Sequence, residues 1–353
     1  MRTSALLERM HEKGIRACLL HKSENMRYLC NYTGEGCILL CDEVCCILTD
    51  SRYTEQARIQ APSCRIVCTT HEHPEADCVA ELVGEYALTA LALETDFISH
   101  DCFAALEKLL PSVELKPLDQ LPEALRELKD EGELAFIATA AEIACAAFER
   151  LLPQLHTGMT EKQVRALLEF EMLQLGSECV AFETIAAAGE NGALPHAVPS
   201  DYVIQKGDLL TLDFGARHNG YCSDITRTVG FAPVPVALKD IYATVLEAHE
   251  SALSAVKAGA QCGEIDRIAR DFIDARYPNR FGHSLGHGVG LFIHEQPRVG
   301  KNSETLLSPG HVITIEPGIY VPGLGGCRIE DTVFVTPEGF TDPVRLSKQL
   351  IEL

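Results

Sequence analysis

Two stretches of strand-like sequence each carry a pair of carboxylates astride a turn, and this repeated pattern constrains the chain more than any other feature. LLTLDFGARHNGYCSDITRTV (209–229) sets Asp213 and Asp224 around Asn219-Gly220. HVITIEPGIYVPGLGGCRIEDTVFVT (311–336) sets Glu316 and Glu330 around a Gly/Pro-rich turn. With Asn219-Gly220 as a two-residue hairpin turn, Asp213 falls opposite Thr226. Asp224 then lies two positions along on the same face as a diagonal neighbour; one bulge would bring the two Asp residues directly opposite. Like charges on an apolar sheet are destabilising unless something positive sits between them. A basic side chain or a cation would serve.

Between the two acidic hairpins lies FGHSLGHGVGLFIHEQPR (281–298), a Gly-rich, weakly helical stretch with His283, His287 and His294. Two Asp, two Glu and at least one His form an oxygen-rich donor set. It suits divalent ions such as Mn²⁺, the first choice, Co²⁺ or Fe²⁺, with Zn²⁺ also admissible. Four carboxylates exceed what one catalytic zinc uses. Two ions about 3.5–4 Å apart, bridged by carboxylates and a water, would use them all.

The rest of the chain sets the frame. At 353 residues it is too long for one ordinary core, so two domains are expected. A net charge of −21 argues against nucleic acid or an anionic membrane as partner. The opening MRTSALLERMHEKG lacks an apolar signal core, and no apolar run is long enough to span a bilayer, so a cytoplasmic location is expected. The 15 cysteines then read as reduced thiols. Cys37, Cys41, Cys45 and Cys46 read as small buried hydrophobes, and the lack of any CxxC pair argues against a structural zinc site.

Residues 1–120 alternate helix-like and strand-like text. Leu6, Leu7 and Met10 mark an amphipathic helix; Ala17–Leu20, Gly36–Leu40 and Cys45–Thr49 read as short buried strands, giving mixed α/β order. LKPLDQLPEALR (115–126) has two prolines and no strong period, which sets domain limits of 1–122 and 123–353. Beyond it, Leu134, Ile137, Ala141, Cys145, Phe148, Leu152 and Leu155 mark a long helix. Thr160, with Gln163 as a capping box, opens another. A second pair follows, striped by Leu238, Ile241, Val245, Ala248, Ala252 and Val256, then by Ile265, Ile268, Ala269, Phe272 and Ile273. Gly158, Val164 and Leu167 recur as Gly259, Ile265 and Ile268, suggesting an internal duplication into two helix–helix–sheet halves.

With these motifs in view, the sequence resembles the pita-bread metallopeptidases, in particular the Xaa-Pro branch of aminopeptidase P and Xaa-Pro dipeptidase (prolidase). The matching text is FETIAAAGENGALPH (182–196), LDFGARHNGYCSDITRT (212–228), GHSLGHGVGLFIHEQP (282–297), ITIEPGIY (313–320) and GCRIEDTV (326–333). The resemblance spans roughly 125–353, and the N-terminal text, with TDSRY at 49–53, looks like the family's non-catalytic domain. It implies a two-domain α+β protein: a smaller creatinase-like α/β domain, then a pita-bread domain of pseudo-twofold α-β halves.

The resemblance also implies roles. Asp213 would bind one metal, Asp224 would bridge both, His287 would complete one ion's shell, and Glu316 and Glu330 would complete the cage. His196 matches a substrate-binding histidine, His294 one that steadies the tetrahedral intermediate, and His283 a further pocket histidine. Arg328 matches an arginine that holds the substrate or the acid cluster; Arg298 is a looser match. His11, His21, His71, His73 and His100 match nothing and are assigned to surface or packing. Glu316 would take a proton from the attacking water and pass it to the proline nitrogen, while His294 and a metal stabilise the oxyanion.

The expected activity is Xaa-Pro aminopeptidase, with Xaa-Pro dipeptidase as the alternative and a homodimer as the expected assembly. A non-catalytic pita-bread binding protein would typically lack one of the five ligands, and all five are present. Creatinase works without the cage, and methionine aminopeptidase usually lacks the N-terminal domain.

Overall fold

The structure, a computed structural model, describes residues 2–353. The chain divides into two compact units, Met1–Arg126 and Glu127–Leu353. In chain order the first contains α1 (Arg2–Glu12), β1 (Ala17–Leu20), α2 (Ser23–Cys30), β2 (Cys37–Cys41), β3 (Cys45–Asp50), α3 (Thr54–Gln60), β4 (Arg65–Thr69), α4 (Glu75–Glu85), β5 (Ala90–Leu93), α5 (His100–Leu109), β6 (Glu114–Pro117) and α6 (Leu121–Arg126). Its six strands form one mixed sheet in the order β4-β3-β2-β1-β5-β6. The α/β order expected from the sequence is present. The segment 115–126, read as aperiodic, carries the end of β6 and all of α6; each is too short to display a period. All 15 cysteines are free, and Cys37, Cys41 and Cys46 are buried in the sheet.

The second unit opens with α7 (Glu131–Leu151) and α8 (Glu161–Gln174). Each begins at a capping box: the Asp130 carboxylate accepts from the Glu133 N–H, and the Thr160 hydroxyl accepts from the Gln163 N–H, with the reciprocal bonds also made. Such a cap contributes about 1 kcal/mol. There follow β7 (Ile185–Ala188), β8 (Leu209–Phe214), β9 (Arg217–His218), β10 (Tyr221–Cys222) and β11 (Ile225–Gly230). Then come α9 (Val236–Leu253), α10 (Cys262–Asp274), β12 (Gly286–Gly288), β13 (Glu295–Val299), β14 (Val312–Ile315), β15 (Gly318–Val321), β16 (Gly325–Arg328), β17 (Asp331–Val335) and β18 (Phe340–Thr341). One antiparallel sheet runs β11-β8-β7, another β13-β12-β14-β17-β18.

The two halves repeat each other down to individual hydrogen bonds. The Gly158 N–H donates to the Ile204 carbonyl at 2.9 Å, and the Gly259 N–H donates to that of Leu307 at 2.8 Å. Thr160 bridges Val203 just as Gln261 bridges Leu306, and each opens the second helix of its pair. One core joins Phe148, Val164 and Leu168 to Leu210, Leu212 and Phe214; the other joins Val245, Ile265 and Ile273 to Ile313, Ile315 and Val333.

The first hairpin keeps the register expected for an Asn-Gly turn, with Asp213 opposite Thr226 and His218 opposite Tyr221, and no bulge intervenes. Asn219 and Gly220 both have positive φ, 47° and 77°, as a type I′ turn requires. The expectation of a weakly helical 281–298 is wrong: the segment forms β12 and β13. Its glycines mark close strand contacts. A Cβ on Gly286 would lie 1.9 Å from the Thr314 carbonyl oxygen, and one on Gly288 would lie 2.1 Å from that of Gln296.

Candidate active site

Strand alternation sorts the side chains of the second unit onto two faces. Leu210, Leu212 and Phe214 of β8 point to the helices, as do Ile313 and Ile315 of β14. The residues between them, Thr211, Asp213 and Thr314, take the other face, and Glu316 follows directly after β14. Asp224 immediately precedes β11 and Glu330 immediately precedes β17, so each half supplies one acid at a strand end and one at a strand start. Thr226 and Glu330 form an isolated bridge that joins the halves. The Thr226 hydroxyl donates to Glu330 Oε2 at 2.6 Å.

The expected ligands converge. Asp224, His287 and Glu330 offer donor atoms that all lie within 4.8 Å of one another. His287 Nε2 is 3.5 Å from Asp224 Oδ2 and 3.4 Å from Glu316 Oε1. The Nδ1 of the same ring lies 3.0 Å from the Gly288 carbonyl, an acceptor, so Nδ1 carries the proton and Nε2 presents its lone pair to the carboxylates. Arg328 Nη2 donates to Asp213 Oδ2 at 2.6 Å, while Asp213 Oδ1 is buried without a partner.

Electrostatics shows the cost of this convergence. Burial pushes the Asp224 carboxyl well above its usual range, and Glu330, Asp213 and Glu316 push the same way. Burial, with Glu316 and Asp213, does the same to Glu330. Burial raises Glu316 to about 8 despite Arg328. It lowers His287 to about 4, with His294 acting in the same direction, so the imidazole is neutral at neutral pH. Lone pairs and carboxylate oxygens thus face one another, and the orphaned Asp213 oxygen joins them. This donor set fits divalent cations, which supply what the single Arg328 charge does not.

The other expected residues border this cluster. The rings of His287 and His294 are 4.5 Å apart at 75°. His196, on an exposed turn, lies within electrostatic reach of His283 and His294. Its preceding carbonyl, on Pro195, accepts from Arg328 Nη1 at 3.2 Å, tying the His196 turn to the acids. His283 Nδ1 is 3.8 Å from Glu316 Oε2. Arg298 on β13 stands apart from the acids: its Nε donates to Ser284 Oγ at 2.7 Å. It shares a cleft of about 490 Å³ with His283, Arg270 and Lys301.

The model of metallopeptidase family M24 matches residues 135–337, and that of the creatinase/prolidase N-terminal domain matches residues 2–128. The chain belongs to metallopeptidase family M24. It is 45% identical over 239 residues to an Xaa-Pro dipeptidase of Pyrococcus furiosus, covering 67% of this chain and 69% of that one. Two solved structures align almost end to end: an Xaa-Pro dipeptidase from Bacillus anthracis (TM-score 0.96, 41% identity, 100% of this chain and 99% of that one) and an X-Pro aminopeptidase from Thermotoga maritima (TM-score 0.91, 35% identity, 100% of both). The M24 peptidase thus has the expected two-domain α+β architecture, a creatinase-like domain followed by a pita-bread domain. Membership of a metallopeptidase family implies divalent metal ions, and the carboxylate cluster is the candidate place for them.

Several side chains that shape the M24 site escaped the sequence reading. Tyr320 is the most consequential. Arg328 Nη1 donates to the Tyr320 hydroxyl at 2.8 Å, and that hydroxyl lies 2.9 Å from His283 Nε2. His283 Nδ1 lies 2.8 Å from the Ser284 carbonyl and must donate to it, so the phenol donates to Nε2 and fixes the tautomer. Burial raises Tyr320 to about 12, which keeps the phenol a donor. Tyr320 lies within ITIEPGIY, where a phenol on an otherwise apolar strand was the available signal. Thr314, whose hydroxyl donates to Glu316 Oε1 at 3.3 Å, had only its alternation with Ile313 and Ile315 to mark it. Among the described residues, no helix is long and apolar enough to cross a membrane.

Proposed function

We propose that this M24 peptidase is an Xaa-Pro dipeptidase that uses two divalent ions, Mn²⁺ first among the candidates, held by Asp213, Asp224, His287, Glu316 and Glu330. The observation that carries the dipeptidase reading, against the aminopeptidase that the sequence put first, is the basic cleft beside His283. Arg298 and Lys301 line it, and His283 reaches Glu316 within 3.8 Å. A dipeptide places its terminal carboxylate one residue beyond the scissile bond, where a guanidinium can read it. The names of the Pyrococcus and Bacillus anthracis relatives support the same reading.

The ions, when bound, supply the activation of a water whose pKa falls to roughly 7. The chain's own groups do the rest. Glu316 Oε2, free of the Thr314 hydrogen bond, takes the water's proton as oxygen adds to the carbonyl carbon before proline. It returns that proton to the proline nitrogen as the C–N bond breaks. His294 stabilises the carbonyl oxygen as negative charge builds on it. His196 and His283 flank the proline ring, and Arg298 holds its carboxylate. Arg328 is occupied by Asp213, Tyr320 and Pro195, so it positions the acids and the His196 turn. A homodimer in the cytoplasm is the setting we propose, with sedimentation as its check.

The decisive assay offers the Mn²⁺-loaded protein an Xaa-Pro dipeptide beside Xaa-Pro-Yaa-Zaa. Cleavage confined to the dipeptide is expected. Equal or faster release of Xaa from the tetrapeptide would overturn the dipeptidase reading in favour of the aminopeptidase, and failure to cut either would overturn both.

A further inference from the structure

The first unit contains a second group of metal-ligand side chains, unrelated to the carboxylate cluster. The β1–β2 register runs from Ala17 opposite Cys41 to Leu20 opposite Ile38, which sets the next residues, His21 and Cys37, opposite each other. Ala17 and Leu19, with Cys37, Leu39 and Cys41, pack on Cys78, Val79 and Leu82 of α4 and Leu106 of α5. His21 continues that face to the sheet end, where both helices begin. Glu75 is the first residue of α4, and Cys102 lies in the first turn of α5.

The contacts are close. His21 Nε2 is 2.8 Å from Glu75 Oε1, and Cys102 Sγ is 3.9 Å from the same oxygen. Donor atoms of His21, Glu75 and Cys102 all lie within 4.8 Å of one another. His21 Nδ1 is buried with no hydrogen-bond partner, and the buried Cys37 thiol contacts Glu75. We propose that His21, Glu75 and Cys102 form a mononuclear site for a thiophilic divalent cation of the zinc class, with the thiol of Cys37, opposite His21 across the β1–β2 register, as the candidate for a fourth position.

The chemistry matches. Around tetrahedral zinc, with bonds of about 2.0 Å to nitrogen or oxygen and 2.3 Å to sulfur, neighbouring ligand atoms stand about 3.3–3.6 Å apart. The observed 2.8 and 3.9 Å bracket that spacing. A neutral imidazole, a carboxylate and one thiolate cancel the charge of the ion, and both anionic ligands sit at helix N-termini, which favour them. Against the effect of burial, Cys102 and Glu75 raise the His21 imidazole to about 9, so without the ion it is a cation paired with Glu75, and binding displaces its proton together with that of Cys102. Sulfur separates this site from the M24 centre, whose proposed donors are oxygen and one imidazole. The ion would pin the ends of β1, α4 and α5 together. No motif announces it, because the ligands come from separate elements rather than from a CxxC pair.

Co²⁺ loading of the full-length, phosphine-reduced protein tests the proposal, since only a thiolate ligand gives a sulfur-to-cobalt charge-transfer band in the near ultraviolet. The band is expected in the parent and in Asp224→Ala, and it should disappear on titration with Zn²⁺. Cys102→Ser should reduce it at least tenfold while leaving Xaa-Pro turnover within about twofold of the parent, which also shows that the variant folds. Glu75→Gln should weaken Zn²⁺ retention against a chromophoric chelator by tenfold or more. Absence of the band in the parent overturns the proposal. So does a band that persists at full strength in Cys102→Ser, which would point to other thiols such as the Cys45–Cys64 pair at 3.3 Å.

Discussion

Glu330 and Asp331 are adjacent in sequence, both buried, and held in opposite electrostatic states. Strand alternation turns Glu330 toward the other acids and Asp331 toward the helix layer. There Asp331 meets Arg227 Nη2 at 2.7 Å, Lys348 Nζ at 2.7 Å and His249 Nε2 at 3.5 Å. Against the effect of burial, those three groups hold the Asp331 carboxyl below its usual range. Glu330 is pushed up by burial and by its acidic neighbours. One buried carboxylate is neutralised by the protein itself. The other leaves its compensation to a bound ligand, and Arg227 ties the two together by donating to the Glu330 carbonyl at 2.6 Å. A buried charge that the fold satisfies is architecture; one that the fold leaves unsatisfied, among others of its sign, marks a site.

The largest effect that would test this contrast is catalytic. Asp224→Ala should lower Xaa-Pro turnover with added Mn²⁺ by at least about a thousandfold, roughly 4 kcal/mol in barrier. The same change should leave the melting temperature of the chelated protein unchanged or higher, because a repelling carboxyl is gone. Turnover within about threefold of the parent would rule out the bridging role. Asp331→Asn should behave in the opposite way, costing about 3 kcal/mol in chemical denaturation with or without metal, since it strands Arg227 and Lys348.

The next effect is a pH dependence. Between 4.5 and about 8 the folded, chelated chain retains a proton on Glu316 that the unfolded chain has released. Its stability should therefore fall as pH rises through that window, by several kcal/mol at roughly 1.4 kcal/mol per pH unit. Saturating Mn²⁺ should abolish or reverse the trend, and denaturant midpoints at pH 5 and pH 8 would show it. A chelated protein that gains stability over this range would contradict the frustrated state of the cluster. The smallest effect concerns the rim. Arg298→Ala should raise KM for an Xaa-Pro dipeptide about tenfold, near 1.4 kcal/mol, with kcat little changed. An unchanged KM would remove Arg298 from carboxylate reading.

Much of this was legible in the sequence, for local reasons. The Asn219-Gly220 turn fixes the register that puts Asp213 opposite Thr226, because a type I′ turn admits only one pairing of its flanking strands. The capping box at Thr160 and the spacing of apolar residues define α8 from within a few turns of chain. The five candidate acidic and imidazole ligands stood out because a carboxylate in apolar strand text needs an explanation nearby.

Long-range packing decided the rest. Gly286 and Gly288 suggested weak helix in isolation, yet strands pass so close that no side chain fits. Nothing near Arg328 in sequence names its partners, and only the fold directs it to Asp213, Tyr320 and Pro195. The motif GCRIEDTV marks Glu330, but the opposite state of its neighbour Asp331 follows only from the faces that the sheet assigns to the two. His21, Glu75 and Cys102 share no motif and meet only because β1, α4 and α5 end at one place. Sequence determines what a residue offers within a few positions of itself; which groups it meets across the fold depends on how the sheets and helices pack, and that information is spread over the whole chain.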